Sequence, residues 1–342
     1  MNIKSLLLGS AAALAAVSGA QAADAIVAVE PEPMEYVRVC DAFGTGYFYI
    51  PGTETCLKIS GYVRTQLEFA ETSGDDDFSL NARTRAKINI EAKNDSEIGT
   101  IGSYIGIRAW ADGDGDGGSF EIDEAYITAG GFKVGYMYNY WDNDLSGETD
   151  DLGSNRINSA GYEYASDAFT FGVFVDELSK TYTEGFTSAY KGNDGIGLEA
   201  QVTGSFGPVT AELLGAYDFA EENGAVRVKL EAEVGPGALG VAGIYSTGEN
   251  AYYDVSEWTI AAQYAAKITD KISLTPGFQY WNTLDVDADG DFTGSRDMWK
   301  AGLTVDYTIA EGLTTKLSAQ YVDEDGGDDN NWEGFVRLQR SF

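Results

Sequence analysis

Apolar and polar residues alternate along most of the chain with a period of two. Between Ser79 and Glu91, every second residue from Leu80 onward is apolar or small, and the residues between them are polar or charged. Leu57 to Ala70 shows the same alternation, and Gly131 to Tyr140 places five bulky residues on one face. This pattern predicts β-strands with one apolar and one polar face. The stretches are long enough for tilted strands to cross a bilayer, whereas strands of soluble sheets are usually about 5–6 residues long.

About sixteen such strands are predicted, and the connections between them alternate in length. The even-numbered connections are tight turns such as Gly130-Gly131 and Gly207-Pro208, and the odd-numbered ones are longer and mostly acidic. Short turns at one end and long loops at the other are typical of an all-β, antiparallel outer-membrane barrel. The predicted strands cover residues 57–70, 79–91, 99–111, 119–129, 131–140, 156–166, 168–176, 195–206, 209–218, 224–234, 238–246, 257–268, 272–282, 295–309, 313–322 and 332–342.

Two positions disturb the alternation. Around Asp123-Glu124 the pattern slips by one residue, which predicts either a β-bulge or a misplaced boundary. Pro276 lies inside the strand predicted over residues 272–282, where it removes one hydrogen-bond donor from the ladder.

The first residues have the pattern of an export signal. Lys4 is positive, Leu6 to Val17 is apolar and uncharged, and Ala20-Gln21-Ala22 has the small-x-small spacing of a cleavage site. We therefore expect a signal peptide over 1–22, a periplasmic or lumenal segment over 23–56, and the barrel over 57–342. The mean hydropathy of −0.21 alone would indicate a soluble secreted protein, but alternating membrane strands average to similar values.

Composition argues against several classes of function. The chain has 22 Lys and Arg against 55 Asp and Glu, which gives a net charge of −33. Such a charge is unsuited to binding nucleic acid, which needs a basic surface. It has no histidine, which removes Ser-His-Asp catalysis and histidine-based zinc sites. We expect no enzymatic activity and no cofactor. Three alternatives stay open: a hydrolase with a bare carboxylate pair, a secreted acidic adhesin with a sandwich fold, and a substrate-specific channel with an aromatic track.

The two cysteines, Cys40 and Cys56, lie close together in the sequence. In an exported protein this predicts one disulfide that closes a small loop. A zinc or redox pair is disfavoured because the CxxC spacing and partner ligands are absent.

Three parts of the chain resemble known proteins. The last strand, Val336 to Phe342, alternates and ends in Phe342. This ending resembles the signal by which outer-membrane barrels are recognised for assembly. The segments Val37-Arg38-Val39-Cys40 to Arg64 and Ile122-Asp123-Glu124-Ala125 to Gly135 resemble the alphaproteobacterial porin family. That resemblance implies an outer-membrane homotrimer of sixteen-stranded barrels, with the third external loop folded into each pore. Small hydrophilic solutes and ions would diffuse passively, and the expected partners are outer-membrane lipid, lipopolysaccharide and the barrel-assembly machinery.

Candidate pore residues follow from this likeness and from the polar faces of the strands. The third long connection carries the acids expected at the constriction: Asp142, Asp144, Glu148, Asp150 and Asp151. The opposite, basic wall is expected from cations on neighbouring strands: Arg64, Arg83, Arg85, Lys87 and Arg108. Opposed charges produce a transverse field that orients dipolar solutes. The alternative for the arginines is a structural ladder that binds lumen carboxylates such as Glu68 and Glu91.

Three further expectations concern the loops and rims. Asp112 to Gly117 and Asp285 to Gly290 have the spacing of a calcium loop, but the twelfth positions hold Asp123 and Arg296 instead of Glu, so we expect solvated acidic loops and no metal site. Loose bridging of such loops to lipopolysaccharide by divalent cations stays open. The many loop acids favour cations at the pore mouth, although the arginines favour anions. Aromatic residues near strand ends are expected in interfacial girdles: Tyr138, Tyr140, Trp141, Tyr162, Tyr164, Tyr252, Tyr253, Trp258, Tyr280 and Trp281.

Overall fold

A computed structural model describes residues 37–71, 78–112, 120–178, 195–325 and 331–342. The predicted signal peptide lies outside the described residues, as does the calcium-like motif after Asp112. The main compact unit is Val39–Phe342, and the unit before it contributes only Val37 and Arg38 to the description. Within these ranges, no helix has the length and apolar character needed to span a membrane.

The described residues form seventeen strands, of which sixteen close into a barrel. Each barrel strand pairs antiparallel with its sequence neighbours, and the last pairs with the first from Glu333↔Ala70 to Ser341↔Tyr62. A closed sheet leaves no unpaired edge in hydrocarbon, and the predicted fold class is confirmed. The strands are β1 (Phe48–Tyr49), β2 (Cys56–Glu71), β3 (Phe78–Ser96), β4 (Gly99–Asp112), β5 (Phe120–Ala129), β6 (Phe132–Tyr138), β7 (Arg156–Ala165), β8 (Phe169–Glu177), β9 (Ile196–Phe206), β10 (Val209–Asp218), β11 (Asn223–Val234), β12 (Gly237–Ser246), β13 (Trp258–Lys267), β14 (Ile272–Asn282), β15 (Met298–Ala310), β16 (Leu313–Glu324) and β17 (Asn331–Ser341).

Apolar side chains face outward and polar side chains face the barrel interior. In β11, Val226 and Val228 are 48% and 44% exposed, whereas Arg227 and Lys229 are only 0% and 5% exposed. This arrangement is the reverse of a soluble protein, and it suits strands whose outer surface contacts lipid. The alternation seen in the sequence therefore separates a lipid face from a lumen face.

The connections sort by length, as predicted. One end of the barrel carries the tight turns at 97–98, 130–131, 166–168, 207–208, 235–236, 268–271 and 311–312. The other end carries the connections at 72–77, 113–119, 139–155, 178–195, 219–222, 247–257, 283–297 and 325–330. The connection at 219–222 is an exception, because it is no longer than the turn at 268–271. Residues 139–155, called the inner loop below, fold into the barrel.

A one-residue bulge in β5 explains the slip around Asp123. Gly106 of β4 pairs with Glu124 and the next residue, Ile107, pairs with Ile122, so Asp123 is the extra residue. A bulge of this kind changes the direction of the side chains, so the apolar residues that face lipid shift by one position along the strand. Here it places the Asp123 carboxylate inside the barrel, where its side chain is 1% exposed.

One predicted boundary shifts, and the strand with the internal proline keeps its predicted bounds. The first tight turn lies at 97–98 rather than at Asn94-Asp95, because β3 keeps pairing with β4 as far as Ser96↔Gly99. Pro276 stays inside β14, where it pairs with β15, while the pairing of β14 with β13 skips from Gly277 to Leu274. The proline thus interrupts the ladder on one side only.

Residues 39–55 pack against the start of β2. A disulfide joins Cys40 and Cys56, whose Cα atoms are 5.9 Å apart, so the predicted bridge is confirmed. The Tyr47 hydroxyl donates a hydrogen bond of 2.6 Å to Glu91 on the lumen face of β3. These contacts hold the segment at the short-turn end of the barrel.

Part of the predicted aromatic girdle is wrong. Tyr162, Tyr164 and Trp258 are 39–49% exposed, as a girdle requires. Four others are instead almost fully buried inside the barrel: Trp141, Tyr252, Tyr253 and Trp281. Three of these four belong to connections that fold inward, so their closeness to a strand end does not place them at the membrane surface.

Candidate pore constriction

The inner loop crosses the barrel interior and binds side chains of strands between β9 and β17. Gln279 of β14 accepts a 2.6 Å hydrogen bond from the Asp151 backbone N–H and donates one of 2.9 Å to the Asp151 carbonyl. Gln320 of β16 donates one of 2.7 Å to the Glu148 carbonyl. Strand side chains thus satisfy loop backbone groups that have no ladder partner, which buried backbone groups require.

Arg227 of β11 holds both stems of the inner loop. Its guanidinium donates to the carbonyls of Tyr140 at 2.7 Å and Trp141 at 2.8 Å. A third hydrogen bond, of 3.3 Å, reaches the carbonyl of Leu152 on the other stem. The charge is balanced by Glu212 of β10, whose Oε1 lies 2.8 Å from Nη2. Sequence reasoning did not select this pair, although Arg227 lies between two outward-facing valines.

Four of the five predicted loop acids stabilise the shape of the loop itself. Each accepts a hydrogen bond from a group of the same loop: Asp142 from the Ser154 hydroxyl (2.6 Å), and Asp144, Asp150 and Asp151 from the backbone N–H of Leu152 (3.0 Å), Leu145 (2.8 Å) and Gly153 (3.1 Å). Asp150 also accepts a hydrogen bond from Gln263 of β13. None of the four forms an ion pair with a described residue.

Glu148 is the loop acid that meets cations. Its Oε1 lies 2.7 Å from Lys316 Nζ of β16 and 3.3 Å from Arg337 Nη1 of β17. Neither cation was among the predicted pore residues. Their signal in the sequence is the alternation itself, because Lys316 precedes the outward-facing Leu317 and Arg337 precedes Leu338.

The predicted basic wall of Arg64, Arg83, Arg85, Lys87 and Arg108 spans β2, β3 and β4. The register places Arg64 directly opposite Arg85, and Lys87 directly opposite Arg108. Like charges at opposed positions destabilise a sheet unless other groups compensate them. Arg83 has such a group in Glu68, 3.6 Å away on β2.

Lys87 and Arg108 are compensated by the bulged acid. Asp123 lies 2.5 Å from Lys87 Nζ and 2.9 Å from Arg108 Nη1, and it also binds Arg156 of β7 at 3.0 Å. Glu121 forms a further ion pair with Arg108. For this part of the wall, the geometry matches the structural ladder that sequence analysis kept as an alternative. Its acids are Glu68, Glu121 and Asp123, whereas the suggested Glu91 binds Tyr47 and Lys93.

Arg64 and Arg85 differ from the rest of the wall. In the part of the chain that the structure describes, no carboxylate lies within ion-pair distance of either guanidinium. Both guanidinium carbons lie beside the Tyr62 ring, at 4.9 Å and 5.4 Å from its centre, and that of Arg85 also lies 4.7 Å from the Trp110 ring. Aromatic faces, and not acids, hold these two cations.

The electrostatics of the inner loop depend on pH. Burial, together with the neighbouring carboxylate of Asp150, raises the pKa of Asp144 to about 7. Burial likewise raises the pKa of Asp150, although hydrogen bonds from backbone N–H groups oppose the change. A raised pKa means that the folded loop favours the protonated acid. The contribution of Asp144 to loop stability is therefore present below its ordinary pKa near 4 and is lost as the pH rises to about 7.

The two remaining predicted features have plain structural surroundings. Phe342 continues the β17 ladder, because its backbone exchanges two hydrogen bonds of 3.0 Å with Gly61. In the second calcium-like motif, Arg296 at the twelfth position binds Asp285 at 2.9 Å. No group of three or more Asp, Glu or Cys side chains in the described ranges is placed to hold a metal ion.

Comparison with known proteins finds relatives that are outer-membrane proteins and porins. The sequence profile of the porin subfamily matches residues 24–337. Outer membrane protein IIIA of Rhizobium leguminosarum bv. viciae is 45% identical, over 100% of this chain and 95% of that protein. Porin Omp2a of Brucella melitensis biotype 1 is 32% identical, over 100% of both proteins. These matches confirm the resemblance to alphaproteobacterial porins.

Solved structures show the same fold at low sequence identity. The outer membrane channel DcaP of Acinetobacter baumannii superposes with a TM-score of 0.66 at 15% identity, covering 86% of this chain and 99% of that one. OmpT of Vibrio cholerae in its trimer form superposes with a TM-score of 0.61 at 14% identity, covering 85% and 100%. At such identities the likeness concerns the fold alone.

Proposed function

The chain belongs to the porin family, and from this premise we propose that solutes are selected between the inner loop and the basic wall. As a porin, it lies in the outer membrane and forms a water-filled channel through which small hydrophilic solutes and ions diffuse passively. Selection acts where the lumen is narrowest, through the side chains that line it.

The reach of Glu148 to Lys316 and Arg337 is the observation that carries this proposal. It brings a carboxylate of the inner loop to the strands that adjoin the basic wall, so opposite charges share one narrow space. A field across that space orients dipolar solutes and slows apolar ones. Within the predicted acidic set, Glu148 takes the part of the constriction acid, and Asp142, Asp144, Asp150 and Asp151 hold the loop in place.

Planar-bilayer recording with a salt gradient tests the constriction. Detergent-purified protein should give large, steady current steps, and Glu148→Gln should shift the zero-current potential toward anions while the pore stays open. Glu311→Gln is the matched control, because it makes the same change at an exposed turn between β15 and β16. An unchanged potential in Glu148→Gln would contradict the role of Glu148. Absence of current from well-inserted wild-type protein would contradict the channel itself.

We propose that the working unit is a homotrimer. The support is the trimer form of the OmpT structure, which shares the fold of this chain. Trimers should close in three equal current steps, and light scattering of the unheated protein should give three times the protomer mass after correction for detergent. Single steps and a monomer mass would contradict this proposal.

We infer that the protein is a channel and not an enzyme. The sequence has no histidine to act as a general base. Asp144 and Asp150, the neighbouring inner-loop carboxylates that could act as a general acid and base, each accept a backbone hydrogen bond instead. We expect cation preference overall, because loop acids raise the cation concentration at the mouth. The sign of the wild-type zero-current potential tests this expectation.

A further inference from the structure

Two opposed arginines in the pore wall carry charge that no acid compensates. Arg64 and Arg85 face each other across β2 and β3, and in the described ranges neither has an ion-pair partner. Their repulsion costs stability in an empty wall. Their neighbours Lys87 and Arg108, in an equivalent opposed pair, both form ion pairs with Asp123, and Arg108 has a second acid in Glu121. The contrast marks Arg64 and Arg85 as the positions where a mobile anion gains most.

Aromatic rings fix the orientation of these guanidinium groups. The Tyr62 ring contacts both, with its centre 4.9 Å from the guanidinium carbon of Arg64 and 5.4 Å from that of Arg85, and the Trp110 ring lies 4.7 Å from that of Arg85. An aromatic ring contacts a guanidinium without using its N–H groups, which point outward in the plane of the fork. Arg64 donates a hydrogen bond from its Nε to Gln339 at 2.8 Å, and Arg85 Nε is buried without a hydrogen-bond partner among the described residues. The groups that remain for an oxygen ligand are therefore the terminal Nη groups of both arginines, which donate to no described residue.

A small polar cavity lies beside Arg64, toward β16 and β17. It has a volume of about 160 Å³ and is lined by Arg64, Lys316, Arg337, Gln339, Thr314 and Asp306. Three of its lining groups are cationic and one is acidic. Asp306 lies 3.6 Å from Lys316, and Glu148 binds both Lys316 and Arg337, so Arg64 is the uncompensated charge of the cavity.

We propose that Arg64 and Arg85, with Lys316 and Arg337 beside them, form a subsite that binds the oxyanion group of a small solute. A guanidinium fork matches the oxygen spacing of carboxylate and phosphate and forms charge-assisted hydrogen bonds with them. The subsite rests on the proposed function, because it lies inside the same channel. It adds a substrate class: small phosphate- or carboxylate-bearing solutes that dwell at this wall while they cross the pore.

Block of the chloride current by inorganic phosphate tests the subsite. At constant pH and potassium activity, added phosphate should reduce the single-channel current through wild-type protein in a saturable manner. Arg64→Gln/Arg85→Gln should raise the half-blocking concentration about tenfold or more, since it removes charge-assisted hydrogen bonds. Arg64→Lys/Arg85→Lys keeps the charge but loses the fork, so its half-blocking concentration should be intermediate.

Lys58→Gln/Lys93→Gln is the matched control, because Lys58 and Lys93 also face the lumen on β2 and β3 and the change likewise removes two positive charges. Its block should equal that of wild type. The subsite is wrong if phosphate does not block an open wild-type channel, or if it blocks the Gln double variant equally well. The chloride current without phosphate separates this outcome from a failure of the channel proposal, since every variant must first show an open pore.

Discussion

Replacing Arg227 by Met should detach the stems of the inner loop. The guanidinium is fully buried and donates to three loop carbonyls, those of Tyr140, Trp141 and Leu152. Met has a similar length but no donor and no charge. The barrel ladder does not depend on this side chain, since the backbone of β11 keeps its pairing with β10 and β12. The perturbation therefore acts on the loop and leaves the barrel closed.

The expected magnitude follows from the ion pair with Glu212. Removing one partner of a buried ion pair costs about 3–5 kcal/mol. The second cation near Glu212, Lys229, lies 3.9 Å away and compensates only weakly. Because water reaches Glu212 when the loop moves away, the penalty falls on the attached state. At about 1.4 kcal/mol per factor of ten, the equilibrium should shift toward detachment by about a hundredfold or more.

Open-channel current at fixed voltage measures this shift. Wild-type current should be steady, and Arg227→Met should fluctuate between levels as the loop leaves and returns. Lys267→Met is the control, because the Lys267 side chain is 63% exposed and its one ion pair with a described residue is to the neighbouring Asp270. Arg227→Met/Glu212→Gln removes both charges but keeps an acceptor for the 2.8 Å hydrogen bond from Asn143 of the inner loop, so it should recover part of the steady current. Current from Arg227→Met as quiet as wild type would refute the anchoring role.

Three further predictions follow from other contacts. Lowering the pH from 8 to 6 should reduce cation preference with a midpoint near 7, because Asp144 with its raised pKa becomes neutral there; zero-current potentials should show this step in wild type but not in Asp144→Asn. Asp123→Asn should leave Lys87, Arg108 and Arg156 undercompensated, so anion preference should rise. The free energy of unfolding should fall by about 3 kcal/mol, seen as a lower melting temperature; an unchanged zero-current potential and melting curve would contradict this. Cys40→Ser/Cys56→Ser opens a loop with a sequence separation of 16 and should lower the free energy of local unfolding of residues 39–55 by about 3 kcal/mol. Proteolysis in this segment should become faster while the conductance stays unchanged; altered conductance would instead place the segment in the solute path.

The strands of this protein were predictable because a bilayer constrains every residue of a membrane strand in the same way. An outward side chain must be apolar and the next one faces water, so the period of two in β3 or β11 is enough to predict a membrane strand from each local stretch of sequence. The sorting of turns and loops, and the bridge between Cys40 and Cys56, needed only spacing along the chain. The slip at Asp123 was also visible, but a slip alone does not say which side chain the bulge turns inward.

The constriction was less predictable, because it depends on contacts between residues far apart in sequence. Acids crowd the inner loop, and nothing local distinguishes Glu148, which meets Lys316 and Arg337, from Asp144 or Asp150, which bind backbone of their own loop. Their roles are decided by how the loop is held.

The sequence by itself determined a barrel with a lipid face, a charged lumen and one disulfide. Tertiary structure decided which lumen charges are neutralised and which stay available. The path of the inner loop is set by Arg227 and Gln279, from strands more than seventy residues beyond its start, and the bulge in β5 decides that Asp123 compensates Lys87 but not Arg85. The physical reason is that alternation depends on each residue's own solvent, whereas an ion pair depends on where a second chain segment comes to lie.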